Sequence, residues 1–405
     1  MKLYDDLVWR GLIKDVANDN LEEVLNGEPI TFYWGTDPTA DSLHIGHYSS
    51  LVTAKRLAKY GHHPILLCGG ATGRIGDPRP TAEREIISNE TVNKNIIAIK
   101  NQIDKLFNGQ AEIVDNYTWT KNYTYLDFLR DIGKYINVNY MLNKDIISRR
   151  LETGITYAEF SYTLLQGYDF LHLYKEKNCI MQVEGSDQWG NITTGIELIR
   201  KILGKEAYGF TMPLILDKFG NKFGKSEGNA LWLDKEKTSP YEIYQYLLNS
   251  DDSKVYEYLK VFTFLSKEEI EEVMQKQNEC PEKRIAQKTL AYEVVKDIHS
   301  KEDAEHAIKV SEALFTGNVK ELTDKEIEMV FKGMPSIESN EDTIINIMVN
   351  NNIASSRREA REFLSNNAIT IDGEIISDEN HIITNNKKNH IIRRGKKKYY
   401  LIKIN

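Results

Sequence analysis

The 405-residue chain predicts an α/β fold in three successive parts: a parallel sheet covered by helices, an all-helical segment, and a small α+β module. Three observations carry this reading. The first half alternates short apolar runs with amphipathic stretches, the pattern of strands buried between helices. From Ser239-Pro240 to about Leu314 only helical periods remain, and beyond an acidic stretch holding Gly333 and Pro335 two short helical patterns precede a hairpin signal.

Taken in order, Ile30 to Gly35 reads as a strand, Gly46 to Tyr60 as a helix, and Pro64 to Gly70 as the next strand, which together make one βαβ unit. Helices are expected at 90–107, at 124–150 and from Ala158 to Tyr174. Cys179 to Val183 is the next expected strand, Asn191 to Leu203 a helix, and Thr211 to Leu216 the last strand. In the helical segment, Ser266-Lys-Glu-Glu269 is a capping box, and Gln287 to His299 repeats its apolar residues at close to 3.6. Two short helices, Thr343 to Val349 and Ser356 to Leu364, lead into a hairpin from Ala368 to Ile376 that turns at Asp372-Gly373. The expected divisions are 1–214 for the sheet domain with an insertion, 215–237 for a lysine loop, 238–319 for the helical domain, 320–340 for a linker and 341–405 for the small module.

A chain 41% hydrophobic and 28% charged can bury a large core. It holds no apolar run of the ~18 residues a membrane span needs, and its start lacks a signal peptide's basic and apolar regions, so a cytoplasmic location is expected. Cys68, Cys179 and Cys280 are far apart with no CxxC, which suggests neither a disulfide framework nor a zinc site. The net charge of −8 speaks against indiscriminate nucleic-acid binding, yet from Lys387 to Asn405 the charged residues are all basic. That run ends in the alternating segment Tyr399 to Ile404, a strand with a basic edge of the kind RNA-binding modules carry.

Two motifs point to chemistry. His44 and His47 flank Ile45-Gly46 where a strand loop hands over to a helix. A helix start offers free N–H groups and partial positive charge, so phosphate binds there, and imidazoles on the first turn could donate to its oxygens. Alone, such a pair reads equally as structural; its spacing also suits a metal, although no third ligand is evident. Lys222-Phe-Gly-Lys225-Ser226, between Gly220 and Gly228, places two lysines on a loop that could close over a pyrophosphate. By itself this would be a solvated surface loop. Paired in this order, the motifs describe a site that binds ATP and exposes its α-phosphate to attack. The glycines of Gly69-Gly-Ala-Thr-Gly-Arg-Ile-Gly-Asp-Pro78 suggest close backbone approach to a ligand. Tyr162, Gln166 and Asp169 recur at i, i+4 and i+7 on an otherwise apolar helix, which suggests a pocket wall.

The run from Tyr33 to His47, Gly69 to Pro78, Glu159 to Asp169, Gly185 to Asn191, the lysine loop and Thr238 to Glu242 resemble, in this order, the class I aminoacyl-tRNA synthetases, and within them the bacterial-type tyrosyl-tRNA synthetase family. The resemblance implies a Rossmann-like catalytic domain, a helical domain for the tRNA anticodon arm, a small RNA-binding domain, and a homodimer formed through the insertion. It implies that ATP, with Mg²⁺ and no tightly bound metal or organic cofactor, activates tyrosine to tyrosyl-adenylate with release of pyrophosphate, and that tyrosine then passes to the 3′-terminal ribose of its tRNA. By position, Tyr33 and Asp169 hydrogen-bond the substrate phenol, while Asp77, Tyr162 and Gln166 hold its ammonium. Gln188 lies near the carboxylate and Gln182 in the pocket wall. Thr39, His44 and His47 face the phosphates and, with Lys222 and Lys225, form the catalytic set. Gly35, Asp37, Gly46, Ser50 and Gly185 surround the nucleotide, Asp187 takes its ribose, and Phe223, Gly224 and Ser226 close with the lysines.

Phosphate contacts to tRNA are expected from Arg357, Arg358 and Arg361 on one helix and from Lys396, Lys397 and Lys398. The chain departs from the commoner family pattern at Trp34, where a small cysteine is frequent, at Glu184, which replaces a glycine, and at Ser50, often threonine. Its loop after Asp77 is short, so Arg79 or Arg84 is expected to supply the mobile cation there. Two rival readings are a tryptophanyl-type synthetase, which the Tyr33 and Asp169 pair suits poorly because an indole has one donor and no acceptor, and an RNA-binding factor descended from a synthetase, which two intact signature motifs disfavour.

Overall fold

The computed structural model describes residues 1–78, 87–226, 229–316, 322–323, 326–327, 336–340, 342–384, 389–395 and 398–404. Two compact units emerge, one of residues 1–238 with 250–294 and the other of residues 239–249 with 295–405.

The first unit is built on a five-stranded sheet in the order β3-β2-β1-β4-β5. Its strands are β1 (Thr31–Thr36), β2 (His63–Cys68), β3 (Glu112–Asp115), β4 (Cys179–Gly185) and β5 (Tyr208–Met212), and every pairing is parallel. Phe32, Tyr33 and Trp34 in succession are buried, as are Met181 and Val183, because helices cover both faces. The winding reverses between β1 and β4. From β1 the chain proceeds outward through β2 to β3, whereas β4 proceeds the other way to β5, and such a reversal opens a crevice at the carboxyl ends of the strands.

Three elements differ from expectation. β3 is only four residues long and half-buried, with acids at both ends, so no apolar run announces it. The helix expected over 124–150 is instead a series of short pieces: Tyr125–Asp131, a 3₁₀ turn Gly133–Tyr135, Val138–Leu142 and Asp145–Ser148. Gly133 opens the 3₁₀ turn just past the first piece, and Asn137 starts a new helix by accepting the Asn139 N–H on its side chain at 2.8 Å. The last strand runs Tyr208–Met212 and not to Leu216, because Pro213 has no N–H to extend a ladder.

Helices Leu3–Arg10, Ile45–Lys59 and Asp252–Phe262 meet at a buried ionic cluster. Arg10 Nε donates to Asp6 Oδ1 at 2.8 Å, and Arg56 Nη1 lies 3.5 Å from Asp6 Oδ2. One carboxylate cannot neutralise two guanidinium groups. The surplus is taken up by main-chain carbonyls at the negative end of the third helix: Arg10 donates to Lys260 O at 2.7 Å and Leu265 O at 2.6 Å, and Arg56 to Thr263 O at 2.8 Å. Burial, and then the Arg10 charge, pull the Arg56 guanidinium down to about 10. Further along the chain, Ser266 and Glu269 make the expected capping box, with the Glu269 N–H donating to Ser266 Oγ at 3.2 Å and the Ser266 N–H to Glu269 Oε2 at 2.7 Å.

In the second unit, helix Pro240–Leu248 is joined to helix Lys301–Thr316 by the Gln245 Nε2 bond to Ser311 Oγ at 2.6 Å. The small module has a sheet ordered Glu374–Ile375, Ile369–Ile371, His390–Arg394, Lys398–Ile404 and Ser336–Ser339. Helices Ile344–Asn350 and Arg357–Ser365 cover it through a core that includes Ile347, Met348, Leu364, Ile392 and Ile402. The hairpin turns where expected, with Asp372 and Gly373 both left-handed at φ 50° and 89°. Most of the expected linker at 320–340 lies outside the described residues.

Asp6→Asn removes the only negative charge of the buried cluster described above. It should lower the unfolding free energy by about 3 kcal/mol in urea titration, since breaking a buried pair leaves charge uncompensated. A loss under about 0.5 kcal/mol, the range of ordinary surface substitutions, would show that the carbonyls alone satisfy both arginines.

Candidate active site

The two signature motifs lie against each other at the crevice. His44 caps helix Ile45–Lys59: its Nδ1 accepts the Gly46 N–H at 3.1 Å, and His47 Nδ1 accepts the His44 N–H at 3.2 Å. With Nδ1 accepting, the proton of each neutral ring sits on Nε2, the tautomer that can donate there. The rings stack with centroids 3.9 Å apart. A side chain at position 46 would displace the His44 ring, because a Cβ would stand 2.8 Å from it. The lysine loop rests on the same turn. Gly224, at φ 83°, sits so close to Ile45 that a Cβ would come within 1.9 Å of Ile45 Cγ2. Beyond it, the Ile45 N–H donates to Leu231 O at 2.9 Å. Phe223 is buried, its ring 4.9 Å from that of Phe262, which in turn stacks on Tyr48 at 6.2 Å. This aromatic row seats the loop on the histidine helix while Lys222 stays exposed. The backbone of Lys225 and Ser226 pairs with Ala230 and Asn229; their side chains lie outside the described parts.

Polar side chains gather where helix Tyr157–Lys177 meets other elements: Asp169 bonds to Asn116, Tyr162 to Asp37 and Gln166 to Asn191. Tyr162, Gln166 and Asp169 thus all engage polar partners from outside the helix, in keeping with their spacing. Asp169 accepts from Asn116 Nδ2 at 2.9 Å and from Trp119 Nε1 at 2.8 Å. Burial dominates these donors and pushes its carboxyl up to about 7. The Tyr33 hydroxyl, and both the Nε2 and Oε1 of Gln182, are buried with no hydrogen-bond partner among the described residues. Burial, and then the nearby Asp169 and Glu184, hold the Tyr33 phenol well above its ordinary range. Orphaned polar atoms cost stability, and their concentration here fits a ligand that both donates and accepts hydrogen bonds.

A second network occupies the outer wall. Gln188 Nε2 donates to Asp77 Oδ2 at 3.0 Å, and Asn191 Nδ2 lies 3.0 Å from Gln166 Oε1 and 2.8 Å from Gln188 Oε1. Tyr162 and Thr72 donate to the two oxygens of Asp37 at 2.8 and 2.7 Å, and Asn116 Nδ2 is 3.0 Å from Thr72 Oγ1. Asp77, Gln166 and Gln188 thus come together, and Tyr162 is engaged with Asp37. The close approach expected at Gly69 and Gly70 is made by protein carboxylates: a Cβ would meet Asp37 Oδ1 at 2.0 Å and Asp115 Oδ1 at 2.2 Å.

Thr39 is exposed, its N–H donating to Asp37 O at 2.8 Å, and Asp187 is exposed with Oδ1 against Gly185, where a Cβ would lie 2.8 Å away. Trp34 points inward, and its Nε1 donates to Ser50 Oγ at 2.9 Å, which donates in turn to His47 O at 3.1 Å. Glu184 is buried and accepts the Gly35 N–H. Arg79 and Arg84 fall outside the described residues. In the small module, Arg357 donates to Asn346 Oδ1 at 2.7 Å and Arg361 to Glu379 Oε2 at 2.6 Å; Arg358 and Lys398 are exposed, and Lys396 and Lys397 fall outside the described residues.

Asn191, Asn116, Trp119 and Thr72 are the residues that sequence reasoning missed. Asn191 follows Gln188 by three and shares its helical face, so the same periodicity would have found it. Asn116 and Trp119 carry no local signal, being brought to the site only by the fold.

Protonated Asp169 favours the folded state because burial disfavours the charge. Its contribution is fully present below about pH 4, the ordinary carboxyl range, and is lost as pH rises through about 7. Urea titration without ligands should therefore show the unaltered protein losing on the order of 2–4 kcal/mol relative to Asp169→Asn across that window. A difference that does not vary with pH would mean that Asn116 and Trp119 keep the carboxylate ionised throughout.

The model of tRNA synthetases class I (W and Y) matches residues 25–316, and that of the tyrosine–tRNA ligase SYY-like C-terminal domain matches residues 326–402. The chain is 50% identical to the tyrosine–tRNA ligase of Bacillus velezensis over 94% of each chain, and 49% identical to that of Geobacillus stearothermophilus over the whole of both. A C-terminally truncated mitochondrial tyrosyl-tRNA synthetase of Aspergillus nidulans superposes with a TM-score of 0.70 at 33% identity, covering 78% of this chain and 94% of that one. A tryptophanyl-tRNA synthetase from Encephalitozoon cuniculi shares the fold alone, with a TM-score of 0.54 at 15% identity over 80% of this chain and 89% of that one. A Rossmann-type sheet that reverses between β1 and β4, a capped histidine pair under a lysine loop and these relatives agree: the chain belongs to the tyrosine–tRNA ligase family of class I tRNA synthetases.

Proposed function

We propose that this protein activates L-tyrosine with ATP, forming tyrosyl-adenylate and pyrophosphate, and then transfers tyrosine to the 3′-terminal ribose of its tRNA. The observation that carries the reading is the set of unpartnered buried groups, Tyr33 Oη and the Gln182 amide, beside Asp169. A phenol can donate to the carboxylate and accept from a hydroxyl, which an indole cannot do. Phenylalanine would leave these groups unpaired and is disfavoured for that reason. Asp77, Gln166 and Tyr162 hold the ammonium, with Gln188 beside the carboxylate.

The tyrosine carboxylate is ionised at neutral pH and attacks the α-phosphorus without a general base. Orientation, and stabilisation of charge gathering on phosphate, are the protein's contribution. Thr39, the helix start at Gly46 and the Nε2–H groups of His44 and His47 serve the phosphates. Lys222 and Lys225 follow the departing pyrophosphate. Gly35, Asp37, Ser50, Gly185 and Asp187 surround the nucleoside, with Phe223, Gly224 and Ser226 in the closing loop. Mg²⁺ would accompany ATP and help offset the phosphate charge, as its preference for oxygen ligands suits.

The helical segment serves the anticodon arm, and the small module grips tRNA phosphates through Arg357, Arg358, Arg361 and Lys396 to Lys398. The Arg361–Glu379 pair is exposed on both sides and so is weak enough to be exchanged for a phosphate. A homodimer forms through the insertion, where Tyr125, Leu126, Val138 and Tyr157 leave apolar surface exposed. No helix among the described residues is long and apolar enough to cross a membrane, and charging of tRNA takes place in the cytoplasm.

ATP–pyrophosphate exchange with each amino acid tests the substrate. Exchange is expected with tyrosine, and Tyr33→Phe should relax discrimination against phenylalanine by about 10–100-fold, the worth of one buried hydrogen bond. Exchange with tryptophan and none with tyrosine would overturn the assignment. Deleting residues 341–405 should leave tyrosine-dependent exchange intact while weakening tRNA charging, most strongly at low salt, where the phosphate contacts it removes are worth most. Unchanged charging at physiological salt would remove the RNA-binding role from the module.

A further inference from the structure

β1 and β4 are neighbours for only part of their length. Their ladder runs through Thr31↔Cys179, Phe32↔Met181 and Tyr33↔Gln182 and then stops. Each strand nevertheless continues and stays paired on its other side, Trp34, Gly35 and Thr36 with Leu66, Leu67 and Cys68, and Val183, Glu184 and Gly185 with Phe210, Thr211 and Met212. The sheet therefore opens as a wedge beyond Tyr33 and Gln182. Parting two strands strips the facing main-chain groups of their ladder partners, and these groups are costly to leave unpaired. Gly35 has the parity of Tyr33, so its N–H is turned into the wedge. There it donates to the Glu184 carboxyl, a side chain only 6% exposed.

Both lips of this wedge are otherwise held from outside. The β1 lip is tied to the histidine helix by the Trp34–Ser50–His47 chain and to Tyr162 and Thr72 through Asp37. On the β4 lip, Asp187 closes on Gly185. The Glu184 side chain crosses between them. Burial, opposed by the Gly35 hydrogen bond and reinforced by Asp187 and Asp37, holds its carboxyl above the usual range, and a neutral amide of the same shape keeps an oxygen to accept the Gly35 N–H.

We infer that Glu184 is a positioning residue for ATP: its side chain is a strut that sets the opening between β1 and β4, and so the separation of the two lips, Gly35–Asp37 and Gly185–Asp187. The inference rests on the nucleotide site proposed above and deepens it. Tyr33 and Gln182 lie in the part of the ladder that remains paired, so the groups proposed to read the substrate phenol stand outside the strutted opening.

Equilibrium titration with ATP and steady-state pyrophosphate exchange, on the full chain and on Glu184→Ala and Glu184→Gln, test it. Glu184→Ala should weaken ATP binding and raise the KM for ATP about tenfold, leaving the KM for tyrosine within about twofold; Glu184→Gln, which still accepts from Gly35, should stay within about threefold on both. Unaltered ATP affinity in Glu184→Ala overturns the strut. So does an equal rise in both KM values together with a lowered unfolding midpoint, or Glu184→Gln as impaired as Glu184→Ala. The ATP titration reads the strut whatever the amino acid, whereas absence of tyrosine-dependent exchange in the unaltered protein would strike the substrate assignment alone.

Discussion

A parallel sheet that winds outward in opposite directions from two adjacent strands cannot cover the gap between its first connections, and the functional part of this protein depends on that constraint. β1 and β4 are those strands. Most of what is proposed to touch tyrosine and ATP flanks the resulting opening: the histidine turn follows β1, the Gly185–Asn191 run follows β4, and the helix bearing Tyr162, Gln166 and Asp169 leads into β4. The opening comes from topology, and its chemistry from a few side chains at strand ends.

The pocket is held at some expense to stability. A buried carboxyl at Asp169, an unpartnered hydroxyl at Tyr33 and an unpartnered amide at Gln182 each work against folding, while the surrounding core of Phe170, Leu171 and Ile199 offsets them. The fixed orientation of Asp169, with one donor on each oxygen, is what that expense secures. A pocket lined by leucines would be more stable and would bind a phenol without orienting it.

Much of this was legible in the residues. Contiguous motifs at strand ends and helix starts declare themselves, because a local geometric demand restricts several neighbouring residues at once, as at Gly46 and Gly224. Helical periodicity found Tyr162, Gln166 and Asp169. It misled at 124–150, where the apolar spacing suits one helix but Gly133 and Asn137 favour breaks that periodicity does not count. Asn116 and Trp119 were invisible because their partner, Asp169, lies in a distant element and only the closed fold joins them. Trp34 and Glu184 were recognised as departures from the family pattern without their role being apparent; hydrogen bonds to Ser50 and to a main-chain N–H supply it, and no one-dimensional pattern encodes those.

The cluster of Asp6, Arg10 and Arg56 also bears on the order in which the unit can be completed during synthesis. Two arginines from the first 56 residues find their remaining acceptors only on the carbonyls of Lys260, Thr263 and Leu265. A ribosome-bound chain that has made the whole sheet still carries those guanidinium groups without their final acceptors. The histidine helix and the aromatic seat of the lysine loop, Tyr258 and Phe262, therefore become fixed relative to each other late, after about two thirds of the chain has emerged. Nascent chains that end before Leu265 would hold an assembled sheet with an unfinished seat for the lysine loop.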